Sequence, residues 1–69
     1  MRRDPVASSN IVSVGYESSS QTLEVEFASG GVYQYYNVPQ PTYEEFLAAA
    51  SKGRFFASQI KDRFPYARV

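Results

Sequence analysis

The chain has 69 residues, no cysteine, no histidine and a net charge of zero. It is long enough for one domain, and it carries no disulfide, thiolate nucleophile or Cys-based zinc site. The commonest general base and metal ligand is missing as well, so no enzyme, metal site or cofactor is expected. No apolar run approaches the roughly 20 residues that span a bilayer. Met1-Arg2-Arg3-Asp4-Pro5 has no apolar stretch behind its charges, unlike a signal peptide, and the expectation is a soluble cytoplasmic domain. The neutral balance is uneven along the chain. Arg2 and Arg3 against Asp4, Glu17, Glu24, Glu26, Glu44 and Glu45 leave residues 1–51 at −4, whereas Lys52, Arg54, Lys61, Arg63 and Arg68 against Asp62 leave residues 52–69 at +4. A basic end of this kind points to a polar partner.

Residues 1–9 are polar, with a proline and adjacent serines, and read as a flexible arm ahead of a single domain over 10–69. Ile11–Tyr16 reads as a first strand with Val12, Val14 and Tyr16 on one face. After the polar loop at Glu17–Ser20, Gln21–Phe27 alternates cleanly, with Leu23, Val25 and Phe27 inward and Thr22, Glu24 and Glu26 outward. Ser29-Gly30-Gly31 is a turn signal. Val32–Tyr36 then forms a third strand, with Tyr33 and Tyr35 on one face and Gln34 and Tyr36 on the other, and Pro39 stops it. Short loops between three such strands predict an antiparallel meander with one wet face.

Past Pro39 the period changes. Tyr43, Phe46, Leu47 and Ala50 fall on one helical stripe, Thr42 and Glu45 fit a capping box, and Lys52-Gly53 reads as the helix stop. A second helix is predicted from Arg54 to Arg63, with Phe56, Ile60 and Phe64 on one side and Pro65 closing it. The predicted fold is therefore α+β: a three-stranded meander followed by two helices packed on one face.

Ser8-Ser9-Asn10-Ile11, Gly15-Tyr16, Leu23-Glu24-Val25-Glu26-Phe27, Gly30-Gly31-Val32-Tyr33-Gln34-Tyr35, Val38-Pro39, Tyr43, Ser51-Lys52-Gly53, Phe55-Phe56 and Ile60 together resemble the KTSC domain, with the Tyr-x-Tyr at Tyr33 and Tyr35 as its hallmark. The resemblance covers nearly the whole chain. It implies a short bacterial domain, found alone or attached to lysyl-tRNA synthetases, with RNA as the suspected ligand. There is no synthetase body here, so aminoacylation is not implied. Phe64 stands where the family more often has a tyrosine, which removes one hydroxyl.

Several constellations carry chemistry. Glu24 and Glu26, roughly 7 Å apart along a strand, could be an acid–base pair, but a solvated sheet face explains them more simply. Ser51-Lys52-Gly53-Arg54 could hold a phosphate on free backbone N–H groups; it lacks P-loop spacing, so an inter-helix turn competes and is favoured. Arg54 and Lys61, two helical turns apart with Ser58 between, form one face that Lys52, Arg63 and Arg68 could extend. Tyr33 and Tyr35 read first as core. With Tyr36 they could also stack on unpaired bases beside that basic face, which would bind tRNA or single-stranded RNA. The competing explanation for the basic face is ordinary solvation. Two function classes thus stay open: a small non-catalytic accessory domain that binds RNA, or a protein-interaction or homodimerisation module using a sheet edge or aromatic patch. A membrane-surface helix ranks last, because each aromatic of the second helix has a place in the core.

Overall fold

The computed structural model describes residues 1–69. The alternating Thr22–Phe27 segment becomes the central strand of a sheet, with Leu23 and Val25 completely buried. In chain order the elements are β1 (Asp4–Pro5), β2 (Ile11–Glu17), β3 (Thr22–Phe27), β4 (Val32–Tyr35), α1 (Gln40–Ala48), α2 (Lys52–Gln59) and β5 (Tyr66–Arg68). The sheet is antiparallel with strand order β1-β2-β3-β4-β5. Gly30 and Gly31, at φ 95° and 112°, close the β3–β4 turn in a region that side chains with a Cβ avoid.

The sheet has five strands where the sequence predicted three. Both extra strands are too short to show a period. β5 follows Pro65, and β1 lies inside the segment expected as a loose arm, pairing Asp4 with Val14 and Pro5 with Ser13. A register shift between Ile11 and Ser13 turns β2 locally, as a bulge does. Ile11 therefore faces the core at 1% exposure, and Val12, expected on the same face as Val14 and Tyr16, is 44% exposed while Val14 is buried.

The helix boundaries also differ. Pro39 is the N-cap of α1 and Pro41 sits in its first turn, where a fixed φ and a missing N–H do no harm. The helix starts early enough to place Thr42 inside it, with its N–H on the Pro39 carbonyl at 3.0 Å, and the expected capping box is absent. α1 ends at Ala48, before Lys52-Gly53. Ser51 instead caps α2, its hydroxyl accepting from the Arg54 N–H at 3.3 Å. Lys52 and Gly53 thus begin the second helix rather than ending the first.

Phe46 of α1, Phe56 of α2 and Ile60 just beyond it join Ile11, Val14, Leu23, Val25, Tyr35 and Val38 in one apolar cluster. Neither helix is long and apolar enough to cross a membrane. The N-terminal segment runs across β2 so closely that a Cβ on Gly15 would overlap the Arg2 carbonyl. Gly15→Ala should therefore destabilise the fold by about 1–3 kcal/mol, the usual cost of overpacking. It should also expose the Val6 N–H, which bonds the Val12 carbonyl at 3.2 Å. Urea unfolding and amide exchange check both; a neutral substitution with Val6 still protected contradicts this packing.

Candidate functional site

Two adjoining clefts lie on the helix side of the molecule, and both are lined in part by Asn10, Gly53 and Ala57. Gly53 makes that junction possible. A Cβ there would sit 3.3 Å from the Asn10 amide nitrogen, so the glycine lets the Asn10 loop close against α2.

The first cleft, of about 540 Å³, opens between Ser8–Asn10 and the start of α2 and includes Ser51, Lys52 and Arg54. The first-turn N–H groups of a helix have no intrahelical acceptors, and here the Ser51 hydroxyl already takes that of Arg54. Lys52 turns back to the Ala49 carbonyl at 3.4 Å.

The second cleft, of about 430 Å³, is largely aromatic, with Tyr33, Tyr35, Phe56 and Tyr66 in its lining and Lys61 and Asp62 beside them. Strand pairing sets Tyr66 opposite Tyr35 and Arg68 opposite Tyr33. The Tyr66 ring stacks on Tyr35 with centroids 5.3 Å apart and lies 6.0 Å from Tyr33. The Arg68 guanidinium sits 5.9 Å from the Tyr33 ring centre, within cation–π range. Tyr66 is nevertheless 58% exposed, whereas Tyr35 is 4% exposed. Burial first, then Tyr66, Tyr33 and Asp62 nearby, push the Tyr35 hydroxyl up to about 12, so it stays protonated.

The residues singled out from the sequence divide three ways. Lys52 and Arg54 reach the first cleft; Lys61, Tyr33 and Tyr35 reach the second. Arg63 lines neither and binds the Ser58 carbonyl through Nε at 3.1 Å. Tyr36 lies with Gln34 on the other side of the sheet, its hydroxyl donating to the Gln34 Oε1 at 3.2 Å. The expected single helix face joining Arg54 to Lys61 does not form, because α2 ends at Gln59 and Ile60 leaves helical geometry at φ −123°. Tyr66 and Asn10 were not expected at the site, and Arg68, expected to extend the basic face of the second helix, instead lies on β5 beside Tyr33. The one signal for Tyr66 was the Tyr66-Ala67-Arg68 alternation after a proline, three residues long.

The opposite sheet face is closed by an ionic network rather than solvated as expected. Glu24, 6% exposed, accepts from Arg3 Nη1 at 2.5 Å and Gln34 Nε2 at 2.9 Å. Arg3 Nε donates to the Ser13 hydroxyl at 3.0 Å, and Ser13 donates to Glu26 at 2.9 Å. Desolvation alone would raise the Glu24 pKa, but the hydrogen bonds from Gln34 and Arg3 and the Arg3 charge outweigh it and hold the carboxyl below its usual value. Those contacts make Glu24 an ion-pair partner of the N-terminal segment, with no room left for an acid–base role beside Glu26. The chain contains no group of three or more acidic residues placed to hold a metal.

The KTSC domain family matches residues 7–64. A lysine–tRNA ligase of Trichormus variabilis is 48% identical over 54 residues, covering 78% of this chain and 10% of the ligase, so the chain spans about a tenth of that relative. A protein of Tsukamurella paurometabola is 43% identical over 60 residues, covering 87% of this chain and 90% of its own. The crystal structure of a KTSC domain protein from Yersinia pestis superposes with a TM-score of 0.97 at 43% identity, covering 99% of this chain and 96% of that one.

A carboxyl with a lowered folded pKa binds fewer protons folded than unfolded, so its contribution is present above the unfolded value near pH 4.3 and fades as pH falls through the folded one. Glu24→Gln should accordingly flatten the acid limb of stability below about pH 4.5 by up to one proton. Urea midpoints from pH 2 to 6, in the range of ordinary carboxylate titration, would show this. An unchanged acid limb contradicts the ionic role of Glu24.

Proposed function

The chain belongs to the KTSC domain family, and from that premise we propose that it is a small non-catalytic accessory domain that binds single-stranded RNA across its two clefts. One observation carries this reading: Tyr66 stacks on Tyr35 and leans against Tyr33, an aromatic cluster with Arg68 over the Tyr33 ring, in and around a cleft that Lys61 also lines. Aromatic faces take unpaired bases of any sequence, and flanking cations take the backbone phosphates. Lys52 and Arg54 in the adjoining cleft lengthen the path for a strand. The lysine–tRNA ligase relatives, proteins that by name act with tRNA, contain a like segment over about a tenth of their length, which fits an RNA-contacting role and not aminoacylation.

A second reading, docking of a protein or of another copy of the chain, draws on β5. This strand is exposed along its length at the sheet edge and could extend the sheet by strand addition. The two readings part on salt. RNA binding through three to four phosphates should weaken with a log–log salt slope of about −2 to −3. Lys61→Ala should make that slope shallower by about 0.7, as read by fluorescence anisotropy with a short single-stranded RNA. Self-association that persists in high salt, without RNA affinity, would support the second reading instead.

A further inference from the structure

Tyr35 is the one residue of the second cleft that is both buried and equipped with an unused polar group. It is 4% exposed, and no group of the chain hydrogen-bonds its hydroxyl. Every fully enclosed side-chain polar atom has a partner, so this hydroxyl is open to the cleft that the residue lines. Its position is fixed by its neighbours: Phe56 meets the ring edge-on at 5.2 Å and Tyr66 stacks on it at 5.3 Å. Buried tyrosine hydroxyls normally find a partner. Because the group stays protonated, it can donate one hydrogen bond as well as accept, and a polar edge in the cleft would meet it.

Asn10 complements it. Its amide packs against Gly53 at the junction of the clefts, lines both, and makes no side-chain hydrogen bond of its own. The space between is aromatic-walled and of the size that small ligands occupy, with a few polar groups to fix orientation. An apolar plug would leave the Tyr35 hydroxyl unmet and cover the exposed Asn10 amide without a partner, and a bare phosphate would waste the aromatic wall. A flat heteroaromatic ring with acceptor atoms on its edge satisfies both.

We propose that the second cleft takes one unstacked nucleobase, inserted with its edge toward the Tyr35 hydroxyl and the Asn10 amide. This rests on the single-stranded RNA reading and adds to it a base-recognising floor. Tyr35 and Asn10 then set base discrimination, and the cations set only overall affinity.

The test is an NMR titration with uridine, guanosine and, as a base-free control, ribose 5-phosphate, on the wild-type chain and on Tyr35→Phe, which removes one oxygen and keeps the ring. The nucleosides should shift the amides of Asn10, Tyr35, Ala57 and Tyr66, and ribose 5-phosphate should not. Tyr35→Phe should weaken nucleoside and RNA binding by about fivefold, as loss of one hydrogen bond does, with the RNA salt slope unchanged. If RNA binds but nucleosides leave the cleft still and Tyr35→Phe has no effect, the base-reading floor is wrong and RNA binding stands through the backbone. Nucleosides binding without any RNA affinity would overturn the RNA reading and keep the base pocket. Neither binding overturns both.

Discussion

Phe56 fixes this molecule. It meets Phe27 and Tyr35 edge-on, each with centroids 5.2 Å apart, and so pins α2 to the sheet by the contact geometry aromatic rings prefer. What lies on either side of it along the chain follows. Three residues earlier, Gly53 comes against Asn10 and makes the junction of the clefts. Four residues later, Ile60 is completely buried and ends the helix, which leaves Lys61 and Asp62 at the second cleft. The Ser51 cap sets where α2 starts and so where Lys52 and Arg54 stand.

The two faces of the sheet do different work. One carries the core, the helices and the clefts. On the other, Arg3, Ser13, Glu24, Glu26 and Gln34 satisfy one another, and Gly15 admits the Arg2 backbone against β2. Paired and hydrogen-bonded charges of this kind contribute little when intact and cost several kcal/mol when one partner is removed. Their main consequence is geometric: the polar face is occupied by the chain's own N-terminal segment. The tyrosines divide accordingly. Tyr16 stacks on Tyr43 at 4.6 Å and bonds the Val38 carbonyl at 2.6 Å. Tyr36 belongs to the polar side, and Tyr33, Tyr35 and Tyr66 face the cleft.

What the sequence disclosed depended on the range of the interaction. β3 was legible because its alternation spans six residues and pairs on both edges. The KTSC resemblance and the α+β class were legible for the same reason, resting on patterns that run along the chain. β1 and β5, two and three residues long, exist only because a neighbouring strand pairs with them. Lys52-Gly53 was ambiguous locally: glycine marks helix ends, yet the serine before it marks a start, and the Asn10 contact makes a small residue fit inside the helix. Glu24 looked solvated because its cation, Arg3, lies 21 residues away. At the site, Tyr33, Tyr35 and Arg54 line clefts from the strand and helix positions read for them, whereas Lys52 opens α2 instead of ending α1 and Lys61 lies past the end of α2, each reaching its cleft from a position the local pattern misassigned. Tyr36 and Arg63 line neither cleft, and Tyr66 and Asn10 could be found only once β5 and the α2 contact were in place.

The most direct test is amide chemical-shift mapping with a short unstructured RNA at low salt. Binding at the paired clefts gives shifts at Asn10, Ser51–Arg54, Tyr33–Tyr35 and Lys61–Arg68, with Arg3, Ser13, Glu24 and Tyr36 unmoved. Shifts confined to the polar face, or no shift anywhere, contradict RNA binding at this surface.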